Sequence, residues 1–136
     1  PEIGKAGDID SATVVLNFKN GALATIENSR EAKYGYDQRL EVLGSKGVIK
    51  VDNPLKTDVK IATEVGTNSD RHLNFFMDRY EATYLEEMKC FINALINKKP
   101  MPVSGKDGLK AMLIAEAANR SLAQNRPIRI DSMKTN

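Results

Sequence analysis

Residues 11–29 read Ser-Ala-Thr-Val-Val-Leu-Asn-Phe-Lys-Asn-Gly-Ala-Leu-Ala-Thr-Ile-Glu-Asn-Ser, and this stretch decides the fold class. From Ser11 to Phe18 the side chains alternate, with Ala12, Val14, Leu16 and Phe18 on one face and Thr13, Val15 and Asn17 on the other, the period of two of a strand. Asn20-Gly21 supplies residues that tolerate the positive φ values of a tight two-residue hairpin, so Ala22 to Ser29 is expected to return antiparallel. The sheet is therefore built by hairpins and not by helical crossovers.

On the C-terminal side, Gln38 to Leu43 reads as a third strand, Gly44-Ser45-Lys46-Gly47 as its turn and Val48 to Val51 as its partner. Asn53-Pro54 closes that segment, and Val59 to Thr63 reads as a fifth strand. Gly66-Thr67-Asn68-Ser69 reads as a polar turn before a short apolar piece at Leu73 to Phe76. Then the period changes: Tyr84, Leu85, Met88, Phe91, Ile92 and Leu95 recur at three and four, which predicts a helix from about Asp78 to Ile96. Lys98-Lys99-Pro100 ends it, with cations at a helix C-terminus and a proline that stops propagation. Ser104 and Asp107 form a capping-box pattern opening a second helix to about Ala123, and Ile128-Arg129-Ile130 reads as a last short strand.

The expected architecture is α+β: an open, mainly antiparallel sheet of about six strands with two long helices packed on one face. Strands two and three are apolar on both sides, Ala22, Ala24 and Ile26 opposing Leu23 and Thr25. A sheet facing water alternates more cleanly, so the second face is expected to associate with an identical subunit as a dimer or tetramer. An ordinary half-solvated sheet is the alternative.

Composition removes several classes of function. Hydrophobic residues are 41% and charged residues 28% of 136, which places the chain among globular domains and outside the disordered regime. Twenty basic and 18 acidic residues are interspersed to a net charge of +2, leaving no basic stripe to neutralise phosphates, so nucleic acid is not an expected partner. No apolar run approaches the ~20 residues of a membrane span. The single cysteine, Cys90, has no partner for an internal disulfide and no Cys/His cluster offers a metal site, which fits a reducing, cytoplasmic setting.

Few residues of this sequence carry recognisable chemistry. Neither GxGxxG nor GxxxxGK[ST] is present, so no glycine turn brings backbone amides to a pyrophosphate. His72 is the only histidine, and Asp70 would share its face on a strand, but no nucleophile completes a triad and an exposed loop histidine is the plainer reading. Lys99 before Pro100 reads as helix-terminal charge, Glu86 and Glu87 as a solvated helix face, and Cys90 as a packed thiol without a neighbouring cation. One stretch stands apart: Arg30 to Arg39 concentrates Tyr34, Gly35, Tyr36, Asp37 and charges of both signs between two strands. Phenol hydroxyls donate and accept, and ring faces lie against the C–H faces of a sugar. The residues alone leave two readings open, a polyhydroxylated-ligand contact or a connection shielding the sheet edge.

Four ordered stretches carry a resemblance over nearly the whole chain: Asp8-Ile9-Asp10 leading to Asn20-Gly21-Ala22; Tyr34-Gly35-Tyr36-Asp37 followed by Leu40-Glu41-Val42-Leu43-Gly44-Ser45-Lys46-Gly47; Tyr84-Leu85-Glu86-Glu87-Met88 to Leu95; and Pro102-Val103-Ser104-Gly105-Lys106-Asp107-Gly108-Leu109 with Ala115-Glu116-Ala117 and Ser121. Together they resemble the C-terminal domain of the glucose-fructose oxidoreductase, inositol dehydrogenase and rhizopine catabolism protein family. Within it, Tyr-Gly-Tyr-Asp is most similar to the bacterial inositol 2-dehydrogenases. The resemblance implies that Tyr36 and Tyr34, with Asp37 and Arg39 beside them, contact a polyol such as myo-inositol. It also implies that hydride passes to NAD held by an N-terminal dinucleotide domain, which residues 1–136 do not include. The lysine of a Glu-Lys-Pro motif and the Asp-x-x-x-His pair that the family uses have no counterpart here, so no catalytic, cofactor-binding or metal-binding residue is expected in this chain, and alone it is expected to be inactive. Two rivals stand beside this reading: a family member acting on glucose, another aldose, scyllo-inositol or a dihydrodiol, and a non-enzymatic module that associates through its sheet.

Overall fold

Why hairpins form here is visible at each turn. A computed structural model describes residues 2–133, and its elements in chain order are α1 (Glu2–Lys5), β1 (Ser11–Asn17), β2 (Leu23–Ser29), β3 (Leu40–Gly44), β4 (Gly47–Val51), β5 (Lys60–Thr63), β6 (Gly66–Ser69), α2 (Phe76–Ile96), α3 (Gly105–Gln124) and a 3-10 turn, Ile130–Ser132. The chain is α+β and divides into two units, Pro1–Leu85 and Glu86–Asn136, with the boundary inside α2.

In the first unit, β1 pairs with β2, placing Val14 opposite Ile26 and Leu16 opposite Ala24. Along β1 the alternate residues Ala12, Val14 and Leu16 are half-buried, as the period of two requires. The connection is not the expected two-residue turn. Phe18 N–H donates to Ala22 O and Gly21 N–H donates to Phe18 O, both at 2.9 Å, so Lys19-Asn20-Gly21 is a three-residue loop in which only Gly21, at φ 86°, is left-handed. The Asn20 side chain reinforces it by accepting from Ala22 N–H at 3.1 Å.

β3 pairs with β4 through Ser45-Lys46. The segment read as a polar turn is itself a strand, because β6 pairs with β5 around Glu64-Val65 and Thr63 faces Gly66. Leu73 to Phe76 is not a strand: the chain there makes an isolated bridge, Leu55 opposite His72, and then enters α2 at Phe76. Among the described residues the three hairpins are three separate two-stranded sheets and not one hydrogen-bonded sheet of six. The amides between β2 and β3 are committed elsewhere, Tyr36 N–H to Leu73 O at 2.8 Å and Gln38 N–H to Asn53 Oδ1 at 2.7 Å. They are not available to extend a ladder.

In the second unit α2 ends in a Schellman motif: Lys98 turns left-handed at φ 50°, Lys99 N–H donates to Ala94 O and Lys98 N–H to Leu95 O. α3 ends the same way, with Asn125 at φ 49° and Arg126 N–H bonded to Ser121 O. At the α3 N-terminus Asp107 reaches back to accept from the Ser104 N–H at 3.0 Å and the Ser104 hydroxyl at 2.7 Å. The last strand expected at Ile128 to Ile130 does not form; its end enters the 3-10 turn. Ala94 and Ala117 are the buried apolar residues of α2 and α3.

Gly35 is buried, sits at φ 129°, and a Cβ there would meet Leu73 O at 2.8 Å and His72 Cβ at 3.2 Å. Gly108 lies inside α3, and a methyl group added to it would find no neighbour within 4 Å. Gly35→Ala is therefore expected to destabilise the chain by about 1–3 kcal/mol, and Gly108→Ala to stabilise it by roughly 1 kcal/mol. Urea midpoints shifted in opposite directions are the result to look for.

Candidate functional site

The loop 30–39 is held by backbone hydrogen bonds at its start and in its middle. Arg30 N–H bonds Asp10 O at 2.9 Å at one end. In the middle, the segment after β6 runs back along residues 54–56, with Lys56 N–H to Arg71 O and Leu73 N–H to Pro54 O, and delivers Leu73 O to Tyr36 N–H. Only glycine at position 35 lets the two backbones approach this closely.

Asp37 is the hub of the side-chain network. Its carboxylate accepts from Arg39 Nε at 2.9 Å and Nη2 at 3.0 Å, from Asn53 Nδ2 at 2.6 Å and from the Tyr34 hydroxyl. The Asp37 side chain is 17% exposed and Arg39 64% exposed. The Arg39 guanidinium, then Tyr34 and Asn53, hold the Asp37 carboxyl down at about 2. The hydrogen bond to Asp37 in turn pushes the Tyr34 hydroxyl upward from the ordinary phenol value. On the other side of the loop the Tyr36 and Tyr80 hydroxyls lie 3.3 Å apart, their rings meet edge to face at 5.7 Å, and the Tyr80 hydroxyl donates to Gln38 Oε1. Arg79 covers the Tyr80 ring, its guanidinium carbon 5.7 Å from the centroid.

Two cavities flank the loop. The larger, about 730 Å³, is open and lined by Tyr36, Asp37, Arg39, Lys33 and the β1–β2 hairpin. The smaller, about 240 Å³, is lined by Tyr34, Asp37, Arg39, Asp52, Asn53 and His72. The four residues singled out in the sequence thus share one network but not one cavity: Tyr36 borders the larger space, Tyr34 the smaller, Asp37 and Arg39 both. Asp37 is saturated by protein donors, which makes it the residue that orients Arg39 and Tyr34.

His72 is not a loop histidine in solvent. It is half-buried, stacks edge-on against Tyr34 at 5.9 Å, and its Nδ1 is enclosed without a partner. It forms no dyad with Asp70, whose carboxylate accepts from Thr57 Oγ1 and Arg71 N–H. Cys90 is half-buried, and its hydrogen bond to Glu86 at 3.5 Å, with burial, raises the thiol above its usual value and away from an activated thiolate. Sequence reading missed Tyr80 and Asn53. No local signal marks them, because each joins the site across 15 to 44 residues of chain. Among the described residues no group of three or more His, Cys, Asp or Glu is placed to hold a metal ion.

The family model "Oxidoreductase family, C-terminal alpha/beta domain" matches residues 1–130. This chain belongs to that family. A myo-inositol 2-dehydrogenase of Thermotoga maritima is 51% identical over 132 residues, which cover 97% of this chain and 40% of the relative. The inositol 2-dehydrogenase of Rhizobium meliloti is 45% identical over 128 residues, 94% of this chain and 39% of the relative. The crystal structure of a probable dehydrogenase from Thermotoga maritima matches with a TM-score of 0.92 at 50% identity, covering 98% of this chain and 40% of that one. The chain spans about two fifths of the length of these relatives. The family resemblance of the four sequence stretches is thereby met, and the Tyr-Gly-Tyr-Asp stretch of this family domain is the loop that the backbone of Leu73 anchors.

The Asp37 and Asp107 carboxyls are both held at about 2, Asp107 chiefly by the Ser104 backbone and hydroxyl. Because the folded-state values lie below the unfolded value of about 3.9, the stability these carboxylates contribute is complete above that pH and is lost as pH falls toward the folded-state value. Urea midpoints taken stepwise from about pH 5 to pH 2 should fall. The Asp37→Asn, Asp107→Asn double variant should show a flatter profile over the same window; an unchanged slope would remove both carboxyls from the account.

Proposed function

We propose that this chain is the C-terminal domain of an NAD-dependent inositol 2-dehydrogenase, in which loop 30–39 forms a wall of the polyol site. The observation that carries the reading is the open cavity of about 730 Å³ bordered by Tyr36, Lys33, Asp37 and Arg39, in a chain 51% identical to a myo-inositol 2-dehydrogenase. The chemistry suits a cyclitol. A phenol ring offers its face to ring C–H groups, its hydroxyl meets a ligand hydroxyl, and Arg39, oriented through Nε and Nη2 by Asp37, still carries the N–H groups of Nη1 for donation.

Neither glycine-rich phosphate-binding turn, GxGxxG or GxxxxGK[ST], occurs in this sequence. At the N-terminus of α3, the end at which a helix offers its amides to phosphate, the carboxylate of Asp107 already accepts from the Ser104 N–H. The redox cofactor and the proton-handling groups are therefore assigned to the part of the enzyme outside residues 1–136. This chain contributes binding and orientation of the polyol.

The second role in the proposal is association. In the β3–β4 hairpin Leu43 is 82% and Ile49 68% exposed, and their neighbours Leu40 and Val42 are exposed too. Apolar hairpin faces of this kind call for cover. In this reading the exposed apolar faces of the hairpins are covered by an identical subunit in the complete protein. No helix among the described residues is long and apolar enough to cross a membrane, and a cytoplasmic setting belongs to the same proposal.

In the full-length enzyme, Tyr36→Phe is expected to lower kcat/KM for myo-inositol about threefold to tenfold, the range of one hydrogen bond, with little change in melting temperature; unchanged kinetics would take Tyr36 out of the site. Sedimentation of the same protein should give a dimer or larger species, and a strict monomer would defeat the association role.

A further inference from the structure

The direction of each hydrogen bond in the loop can be read from proton accounting. A phenol carries one proton and can accept through its oxygen lone pairs. Tyr34 spends its proton on the Asp37 carboxylate, which only accepts. Tyr80 spends its proton on Gln38 Oε1. Between the Tyr36 and Tyr80 hydroxyls, 3.3 Å apart, either oxygen is placed to donate, but the Tyr80 proton is already committed, so Tyr36 must donate to Tyr80. The relay runs Tyr36 to Tyr80 to Gln38, and what Tyr36 has left for anything in the larger cavity is an oxygen that accepts.

We infer that Tyr80 and Gln38 are positioning residues that fix Tyr36 as a hydrogen-bond acceptor, so that the site selects a ring position bearing a free hydroxyl able to donate. The inference rests on the reading of Tyr36 as a polyol contact and deepens it into a rule of specificity. A hydroxyl at that position gives its proton to Tyr36. A fluorine, a ring ether oxygen or a keto oxygen there has no proton to give, and two acceptors are left facing each other. A carbocyclic polyol with a hydroxyl on each ring carbon presents a donor at that position. An aldopyranose fails it whenever its ring oxygen falls against Tyr36. Tyr34 on the smaller cavity obeys the same accounting, since its proton is held by Asp37.

The test uses the full-length enzyme and measures dissociation constants of myo-inositol and of its monodeoxy-monofluoro analogues, one for each ring position. In the wild type, one analogue should bind about tenfold more weakly than the others, the cost of one lost hydrogen bond with its acceptor left facing fluorine. Tyr36→Phe should erase that position-specific penalty. Tyr80→Phe removes the internal acceptor, frees the Tyr36 proton to turn toward the ligand and should shrink the penalty to about threefold or less. Gln38→Leu, at an exposed position, should shrink it in the same way and serves where Tyr80→Phe fails to fold. Gln38→Glu keeps an acceptor and should restore the wild-type penalty, which a merely structural role for Gln38 does not require. A penalty that Tyr36→Phe erases but neither Tyr80→Phe nor Gln38→Leu reduces would overturn the relay while leaving Tyr36 in the site. A pattern unaffected by Tyr36→Phe would instead sink the polyol contact on which the relay depends.

Discussion

The approach of the Gly35 backbone to the Leu73 carbonyl is the contact on which the candidate site depends. It is tight enough that a methyl group at Gly35 would overlap the carbonyl oxygen at 2.8 Å, and it is fastened by the bond from Tyr36 N–H to Leu73 O. Because Gly35 takes φ 129°, a conformation costly for any residue with a Cβ, the side chains before and after it diverge. Tyr34 is turned to His72 and the smaller cavity, Tyr36 to Tyr80 and the larger one. One backbone contact thus separates two tyrosines that sit only two residues apart.

Around that anchor the polar groups are arranged by saturation. Four donors converge on Asp37, enough to occupy its acceptor sites, so the carboxylate serves as a fixed post against which Arg39 and Tyr34 are aligned. Charge-assisted bonds of this kind are short and directional. They give a loop on an exposed part of the domain the definition that burial supplies elsewhere. The hairpins β3–β4 and β5–β6, by contrast, are exposed on both faces. Two-stranded hairpins are marginal alone in water, and their apolar faces are what an associated layer would cover.

Much of the secondary structure was legible because its causes are local. Alternation in Ser11 to Phe18, the glycine-rich turn after Leu43, and the three-four spacing from Tyr84 to Leu95 each act within a few residues, and β1, β3 and α2 follow from them. Misreadings occurred where the local signal was balanced. Gly66 to Ser69 carries turn residues, yet pairing with β5 makes it a strand. Ile128 to Ile130 alternates, yet finds no partner strand and ends in a 3-10 turn. The Asn20-Gly21 turn was located correctly but gained Lys19 as a third loop residue, since a single left-handed glycine after a tight turn closes the hairpin.

The sequence by itself determined the class of the domain, its first two hairpins, its two long helices and the loop that concentrates its chemistry, because each is set by spacing along the chain, while four ordered stretches carried the resemblance to its family. Tertiary structure alone decided which residues complete that loop. Leu73, Asn53 and Tyr80 reach it from 15 to 44 positions away, and it is their geometry that assigns each phenol proton an acceptor and leaves each phenol oxygen a role. A hydroxyl has the same composition whichever way it donates, so its direction is written in its neighbours and not in its own position.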